Sequence, residues 1–239
     1  KIKKISSKLF NREYVQTIGR ASYSIFSILN VIKKANNNII AIPSIVCHSL
    51  LSAVLEAGWK PYFCDIDPRT GNVPLSQFKK AYGHGVRCFL HVQLYGNSNH
   101  IDKLCETFKK KDVFIIEDAC QSYGGKINKK PLGSFGNISL TSFGYSKLID
   151  VGFNALFMSN DNHLINELNF FLKKHEKNII ENHIGNFKNI FYEKKQLFKK
   201  DLKNCHFKNI LKDYKYNLFK KWNRTYEEKI YQDLKNINE

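Results

Sequence analysis

The sequence predicts an α/β fold: a three-layer α/β/α domain with a mainly parallel mixed sheet, followed by a helical C-terminal segment. Over the first 161 residues, short apolar runs alternate with segments of helical periodicity. Such alternation is typical of parallel strands that helices cover on both faces. After residue 161 the chain is rich in lysine and poor in glycine and proline, with no clear strand pattern. We therefore predict two parts, a large domain of residues 1–161 and a helical, lysine-rich segment of residues 162–239.

The predicted helices rest on apolar spacing and on helix-ending residues. The isoleucines and leucines after Gly19 recur at helical spacing. Gly58 follows the apolar segment SLLSAVLEA and is a usual residue at a helix end. The predicted helices cover residues 20–35, 49–57, 74–82 and 100–110.

The predicted strands are short apolar runs bounded by turn residues, such as NIIAIP and VRCFLHV. Runs of this length favour buried strands over helices. They cover residues 38–43, 60–65, 86–92, 113–116, 138–143 and 155–158. In a parallel sheet, ligands bind beyond the carboxyl ends of the strands.

Composition excludes several classes of protein. With 239 residues, 43% of them hydrophobic, the chain can bury a real core. No run of about 18 apolar residues occurs, so we expect no membrane-spanning helix and no membrane partner. No apolar segment follows the basic N-terminus, so we expect no signal peptide. The six cysteines form no CxxC pair, which argues against bound metal and favours free thiols in the cytoplasm.

A net charge of +17 raises nucleic-acid binding as an alternative. Most lysines are spread along the chain among many Asn and Ile residues, as in a general compositional bias. Residues 188–221 are the exception, because lysine is dense there and interleaved with Phe and Tyr. A solvated pair of amphipathic helices explains this segment better, so we do not expect a nucleic-acid partner.

Three residues near the predicted strand ends are candidates for chemistry. Asp118 ends the run FIIED, where a carboxylate could keep a ring nitrogen protonated, although acidic residues often cap strands or helices. Lys147 lies beyond the next strand and could form an imine with an aldehyde, although it is one of many lysines. Ser142 could donate its hydroxyl to a phosphate or form a turn.

Seven segments between about residue 15 and residue 161 resemble, in order and without large gaps, the DegT/StrS-type nucleotide-sugar aminotransferases. VFIIEDACQSYGG resembles the family's VIEDAAQA segment, and LGSFGNISLTSF resembles its GSFGD…SF segment. SFGYSK matches the SF-x-x-S/T-K segment that carries the lysine of pyridoxal 5′-phosphate (PLP). The other four segments are residues 19–22, 41–58, 60–68 and 91–96.

The resemblance implies a fold-type-I, PLP-dependent large domain with assigned site residues. Lys147 would hold PLP as a Schiff base and move a proton during catalysis. Asp118 would pair with the pyridine nitrogen, and Gln121 would approach the ring hydroxyl. The phosphate would be bound by Ser142 and, at a helix N-terminus, by Arg20 and Ala21.

Three departures from the family pattern stand out. Cys47 and His48 occupy the place of an aromatic residue that usually covers the cofactor ring. The family's GEGG turn reads GFNA at residues 152–155, so we expect an altered turn. After residue 161 the family's loop to the partner subunit and its small domain are not evident. Residues 185–187 are the nearest trace of that loop, and residues 222–234 resemble the helix leading into the small domain. The segment 162–239 is therefore expected to be a truncated or degenerate start of that domain.

The implied function is transfer of an amino group, with glutamate as the expected donor, to a keto sugar of a nucleotide-sugar. Cell-surface polysaccharide or related sugar synthesis is the expected pathway, and a homodimer is the expected assembly. Related dehydratases carry histidine in place of the lysine, so Lys147 favours transamination. A catalytically impaired protein with a binding or assembly role is the alternative, because of the departures above.

Overall fold

The computed structural model describes residues 2–33, 38–97, 100–144, 147–148 and 154–175. Residues 1–169 form one compact unit. Residues 170–239 are assigned to a second unit, of which residues 170–175 are described and helical. The predicted helical content of residues 176–239, the trace at 185–187 and the basic segment 188–221 lie outside the described residues.

A seven-stranded mixed sheet forms the centre of the first unit. Its strand order is β1-β9-β8-β5-β4-β2-β3, and a separate two-stranded hairpin is formed by β6 and β7. The strands β3, β2, β4, β5 and β8 run parallel, whereas β9 is antiparallel to both β8 and β1. The bounds are β1 Tyr14–Ile18, β2 Ile39–Pro43, β3 Lys60–Cys64, β4 Cys88–Val92, β5 Phe114–Asp118, β6 Lys126–Ile127, β7 Lys130–Pro131, β8 Ile138–Ser142 and β9 Ala155–Ser159.

The helices bury apolar faces against this sheet. Their bounds are α1 Ile2–Phe10, α2 Ala21–Val31, α3 His48–Glu56, α4 Leu75–Gly83 and α5 Ile101–Phe108, and residues 162–175 are also helical. Phe78 of α4 and Phe108 of α5 both contact Phe89 of β4, with ring centroids 5.2 and 5.0 Å away. Burying a side chain of this size contributes about 1.5–3 kcal/mol, so these contacts hold α4 and α5 on the sheet. Within the described ranges, no helix is long and apolar enough to cross a bilayer.

A buried polar network lies beside the apolar core and centres on Glu117, which is 0% exposed. One carboxylate oxygen accepts hydrogen bonds from Gln93 Nε2 at 2.7 Å and Gly133 N at 2.6 Å. The other accepts from the amides of Phe135 and Gly136, and Arg12 forms an ion pair with it at 3.8 Å. We call these six residues the Glu117 network.

Arg12 connects the Glu117 network to the loop before β8. Its guanidinium donates to the carbonyls of Gly133 and Gly136 at 2.9 and 2.8 Å. Burial lowers the pKa of Arg12, and the negative charge of Glu117 acts against that shift. The network therefore fixes residues 133–136 against the end of β5.

The predicted fold class is confirmed, as is every predicted helix and strand before residue 161, with boundary shifts of a few residues. Among the described residues, the elements that were not predicted are α1, β1, the β6–β7 hairpin and a short 3₁₀ helix, Leu94–Gly96. The strand β1 is half-buried and contains the polar residues Gln16 and Thr17, so it has no continuous apolar run. The helix α1 is short and basic, and its large side chain Phe10 is fully buried.

Candidate active site

Every residue predicted to bind the cofactor lies at, or shortly after, a strand end on the same edge of the sheet. The strands β2, β4, β5 and β8 run parallel. Asp118 is the last residue of β5, and Cys47 and Lys147 follow the carboxyl ends of β2 and β8. The strand β1 is antiparallel to β9, which is antiparallel to β8, so β1 ends at this edge too. Arg20 follows β1 after Gly19. The topology therefore brings together segments that lie up to 127 positions apart in the chain.

The N-terminus of α2 and the end of β8 form a set of hydrogen-bond donors. Arg20 is the N-cap of α2, with no hydrogen bond from its side chain to the helix end, so Ala21 begins a helix without a side-chain cap. The first amides of such a helix favour an anion. Ser142 Oγ accepts from Gly144 N at 3.2 Å, so its own hydrogen remains available for donation. A Cβ added at Gly19 would meet nothing within 4 Å, which leaves open space here.

Asp118 lies at the centre of this edge and is 8% exposed. Its Oδ1 accepts from the backbone N–H of Cys120 at 2.9 Å. Burial raises the pKa of the Cys120 thiol well above its usual value. The charge of Asp118 and a hydrogen bond to it raise this pKa further, whereas the charge of Lys147 lowers it. The Cys120 thiol therefore stays protonated. Asp118 and Lys147 both lie close enough to Cys120 for their charges to affect its pKa.

Lys147 and Gln121 are both accessible to a ligand. Lys147 is partly buried, and its backbone N–H donates to Gly144 O at 3.2 Å, which forms a turn after β8. Gln121 is exposed, and its Oε1 accepts from the backbone N–H of Tyr95 at 2.6 Å.

Cys47 and His48 begin α3 and are exposed. Cys47 Sγ lies 3.2 Å from Ser49 Oγ. Cys47 follows the carboxyl end of β2, at the same edge of the sheet as Asp118 and Lys147. The roles of both residues toward a cofactor stay predictions.

Asn154 was missed as a site residue, although it joins two parts of the donor set. Its N–H donates to Gly19 O at 3.0 Å, and its carbonyl accepts from Phe143 N at 2.8 Å. Its φ is +91°, a conformation that favours glycine. The loss of a glycine from the GEGG-like turn was the available signal. The residue at this glycine's place has a positive φ.

Replacing Asn154 by glycine is expected to raise the free energy of unfolding by about 1 kcal/mol, because glycine adopts this backbone without strain. Urea denaturation would measure the change. Ser44→Gly is the control, since Ser44 is exposed and is not among the residues with positive φ. There the extra chain entropy should lower stability by about 0.5–1 kcal/mol. A decrease for Asn154→Gly as large as that of the control would contradict a strained Asn154.

Comparison with known proteins identifies the family. The model of the DegT/DnrJ/EryC1/StrS aminotransferase family matches residues 6–189. GDP-perosamine synthase of Escherichia coli O157:H7 is 25% identical over 163 residues, which are 67% of this chain and 45% of that enzyme. The chain therefore spans about half the length of this curated relative.

Solved structures share the fold. Helicobacter pylori PseC, an aminotransferase involved in the biosynthesis of pseudoaminic acid, superposes with a TM-score of 0.67 at 19% identity, over 71% of this chain and 46% of that one. The E. coli GDP-4-keto-6-deoxy-D-mannose-3-dehydratase with bound hydrated PLP gives a TM-score of 0.64 at 23% identity, over 70% and 44%.

Proposed function

This chain belongs to the DegT/DnrJ/EryC1/StrS aminotransferase family, and we propose that it binds PLP through Lys147 and transfers an amino group to a keto sugar of a nucleotide-sugar. One observation supports the proposal most strongly. The lysine, the carboxylate of Asp118 and the donor set at α2 lie at or just after strand ends on one edge of the sheet. A phosphorylated pyridine aldehyde needs all three.

The residues present fit PLP by the chemistry of their side chains. When bound, PLP supplies an electron sink for reactions at the carbon that bears the amino group. The Asp118 carboxylate is nearly buried, so it can hold a proton on a ring nitrogen. The hydroxyl of Ser142 and the amides of Ala21 and its neighbours can donate to a phosphate, and the positive charge of Arg20 adds to its attraction.

Lys147 distinguishes between two reactions that occur among relatives. The E. coli dehydratase is one fold neighbour and PseC, an aminotransferase, is another. An amine at position 147 can attack an aldehyde and afterwards accept and return a proton. Because the dehydratases carry histidine at this place, the lysine supports transamination.

The proposal extends to donor, pathway and assembly. Glutamate is the proposed amino donor, and cell-surface polysaccharide or related sugar synthesis is the proposed pathway. A cytoplasmic homodimer is proposed by family resemblance. The five cysteines in the described part of the chain are free, in keeping with a reducing compartment.

Reductive trapping tests the proposal. The protein is mixed with less than one equivalent of PLP and reduced with borohydride, which converts a lysine imine to a stable amine. Peptide mass spectrometry is expected to find the label on Lys147. Labelling spread over exposed lysines, with none preferred, would contradict the proposal. A label on Lys147 without amino transfer from glutamate would favour the catalytically impaired alternative.

A further inference from the structure

The turn after β4 is bonded to the turn after β5, which carries Gln121. Gln93 N donates to Asp118 O at 3.1 Å, and Tyr95 N donates to Gln121 Oε1 at 2.6 Å. The side chain of Ser122 also donates to that of Gln93. Residues 93–97, which we call the β4 turn, are therefore attached to the β5 exit through both backbone and side chains.

The bond from Tyr95 determines which end of the Gln121 amide meets a ligand. A backbone N–H can only donate, so its partner must be the amide oxygen. The oxygen is thereby engaged, and Gln121 is exposed. One lone pair of the oxygen serves this bond, while the NH₂ group at the other end of the amide can donate but not accept.

The β4 turn holds this geometry against backbone strain. Tyr95 has φ 53° and ψ 28°, a left-handed conformation that is uncommon outside glycine. Its side chain is 87% exposed, so packing of the ring does not fix the backbone. Gly96 also has positive φ, and a Cβ there would approach Gln121 O to 3.2 Å.

Asn72 supports the turn from the other side. It is 2% exposed, and its Nδ2 donates to Asn97 O at 2.9 Å. Its Oδ1 accepts from Leu94 N at 3.4 Å. A buried side chain thus bonds to both ends of the β4 turn.

We propose that the β4 turn is a positioning element that orients the Gln121 amide so that its NH₂ group donates to the ring oxygen of PLP. A donor stabilises the negatively charged form of that oxygen and disfavours its protonated form. The inference rests on the proposed function. The family resemblance implies a contact between Gln121 and the cofactor. The inference adds the reason for the orientation of the amide, which is the backbone of Tyr95 with support from Gly96 and Asn72.

Two variants test the inference by absorbance of the PLP-loaded protein as a function of pH. Gln121→Glu keeps an acceptor for Tyr95 N but cannot donate when ionised. Gly96→Ala adds a methyl group toward Gln121 O. Both variants are expected to raise the near-ultraviolet absorbance of bound PLP relative to its near-visible absorbance. Both should also raise the PLP dissociation constant about two- to tenfold, as expected for one lost hydrogen bond.

Gly85→Ala is the matched control. Gly85 has φ +84°, close to that of Gly96 at +77°, but a Cβ there would meet nothing within 4 Å. It should strain the backbone similarly and leave the spectrum and PLP affinity unchanged. The inference is overturned by a wild-type spectrum in Gln121→Glu, or by an equal shift in Gly85→Ala and Gly96→Ala. No lysine-dependent band in the wild-type protein would overturn the proposed function itself, a result distinct from either.

Discussion

Lys147→Ala is expected to abolish the near-visible absorbance of lysine-bound PLP and to slow amino transfer from glutamate by about 10²–10⁴-fold, the usual contribution of a positioned proton-transfer group. The site then has no amine to attack the aldehyde and no base beside the reacting carbon. PLP itself should still bind, because Asp118 and the donor set at α2 are unchanged. Single-turnover mixing with glutamate, followed by absorbance, measures both effects.

The matched control is Lys126→Ala, which removes an exposed lysine from the β6–β7 hairpin. It should keep the wild-type spectrum and rate. Both variants should keep the free energy of unfolding within about 0.5 kcal/mol, since Lys147 is partly exposed and outside the core. A wild-type spectrum in Lys147→Ala would show that another lysine holds the cofactor.

Glu117→Ala is expected to have the largest effect on stability, a loss of about 3–5 kcal/mol in the free energy of unfolding. The change leaves the buried Arg12 guanidinium without its carboxylate. It also leaves the amides of Gly133, Phe135 and Gly136 without their acceptor. Each such group loses a partner that water cannot easily replace.

Glu117→Gln separates charge from volume. Every group around the two carboxylate oxygens is a donor, so either orientation of the amide places its NH₂ against N–H groups. The variant should therefore lose more than one hydrogen bond despite its similar size. Urea denaturation measures both variants, with Glu106→Ala as the control, because Glu106 is an exposed residue of α5. Losses in the Glu117 variants no greater than in this control would show that the network contributes little to stability.

Sequence patterns were sufficient for the parallel core of the fold. Strands such as β2 and β4 are mainly apolar, as buried parallel strands need to be. The edge strand β1 has no such apolar run, because Gln16 and Thr17 interrupt it. Its pairing with β9 uses backbone groups, which do not depend on residue type. The hairpin β6–β7 has two residues per strand, which is too short for any periodicity.

The site was predictable where a side chain acts and not where the backbone acts. Lys147, Asp118 and Gln121 belong to motifs of fixed residue type. Asn154 and Tyr95 act through their amides and their left-handed backbone, and nearly any residue supplies an amide. Such positions give only a weak sequence signal. For Asn154 the signal is the absence of a glycine from the turn, and for Tyr95 it is the glycine that follows at position 96.

Glu117 and Asp118 are neighbours on β5, and successive side chains of a strand point to opposite faces. One serves the buried network, and the other serves the proposed cofactor site. Inserting or deleting a single residue earlier in β5 would exchange the two faces. Natural length variation among relatives should therefore fall in the connecting loops and not in this strand. The register of β5 determines both the stability of the fold and the position of the Asp118 carboxylate.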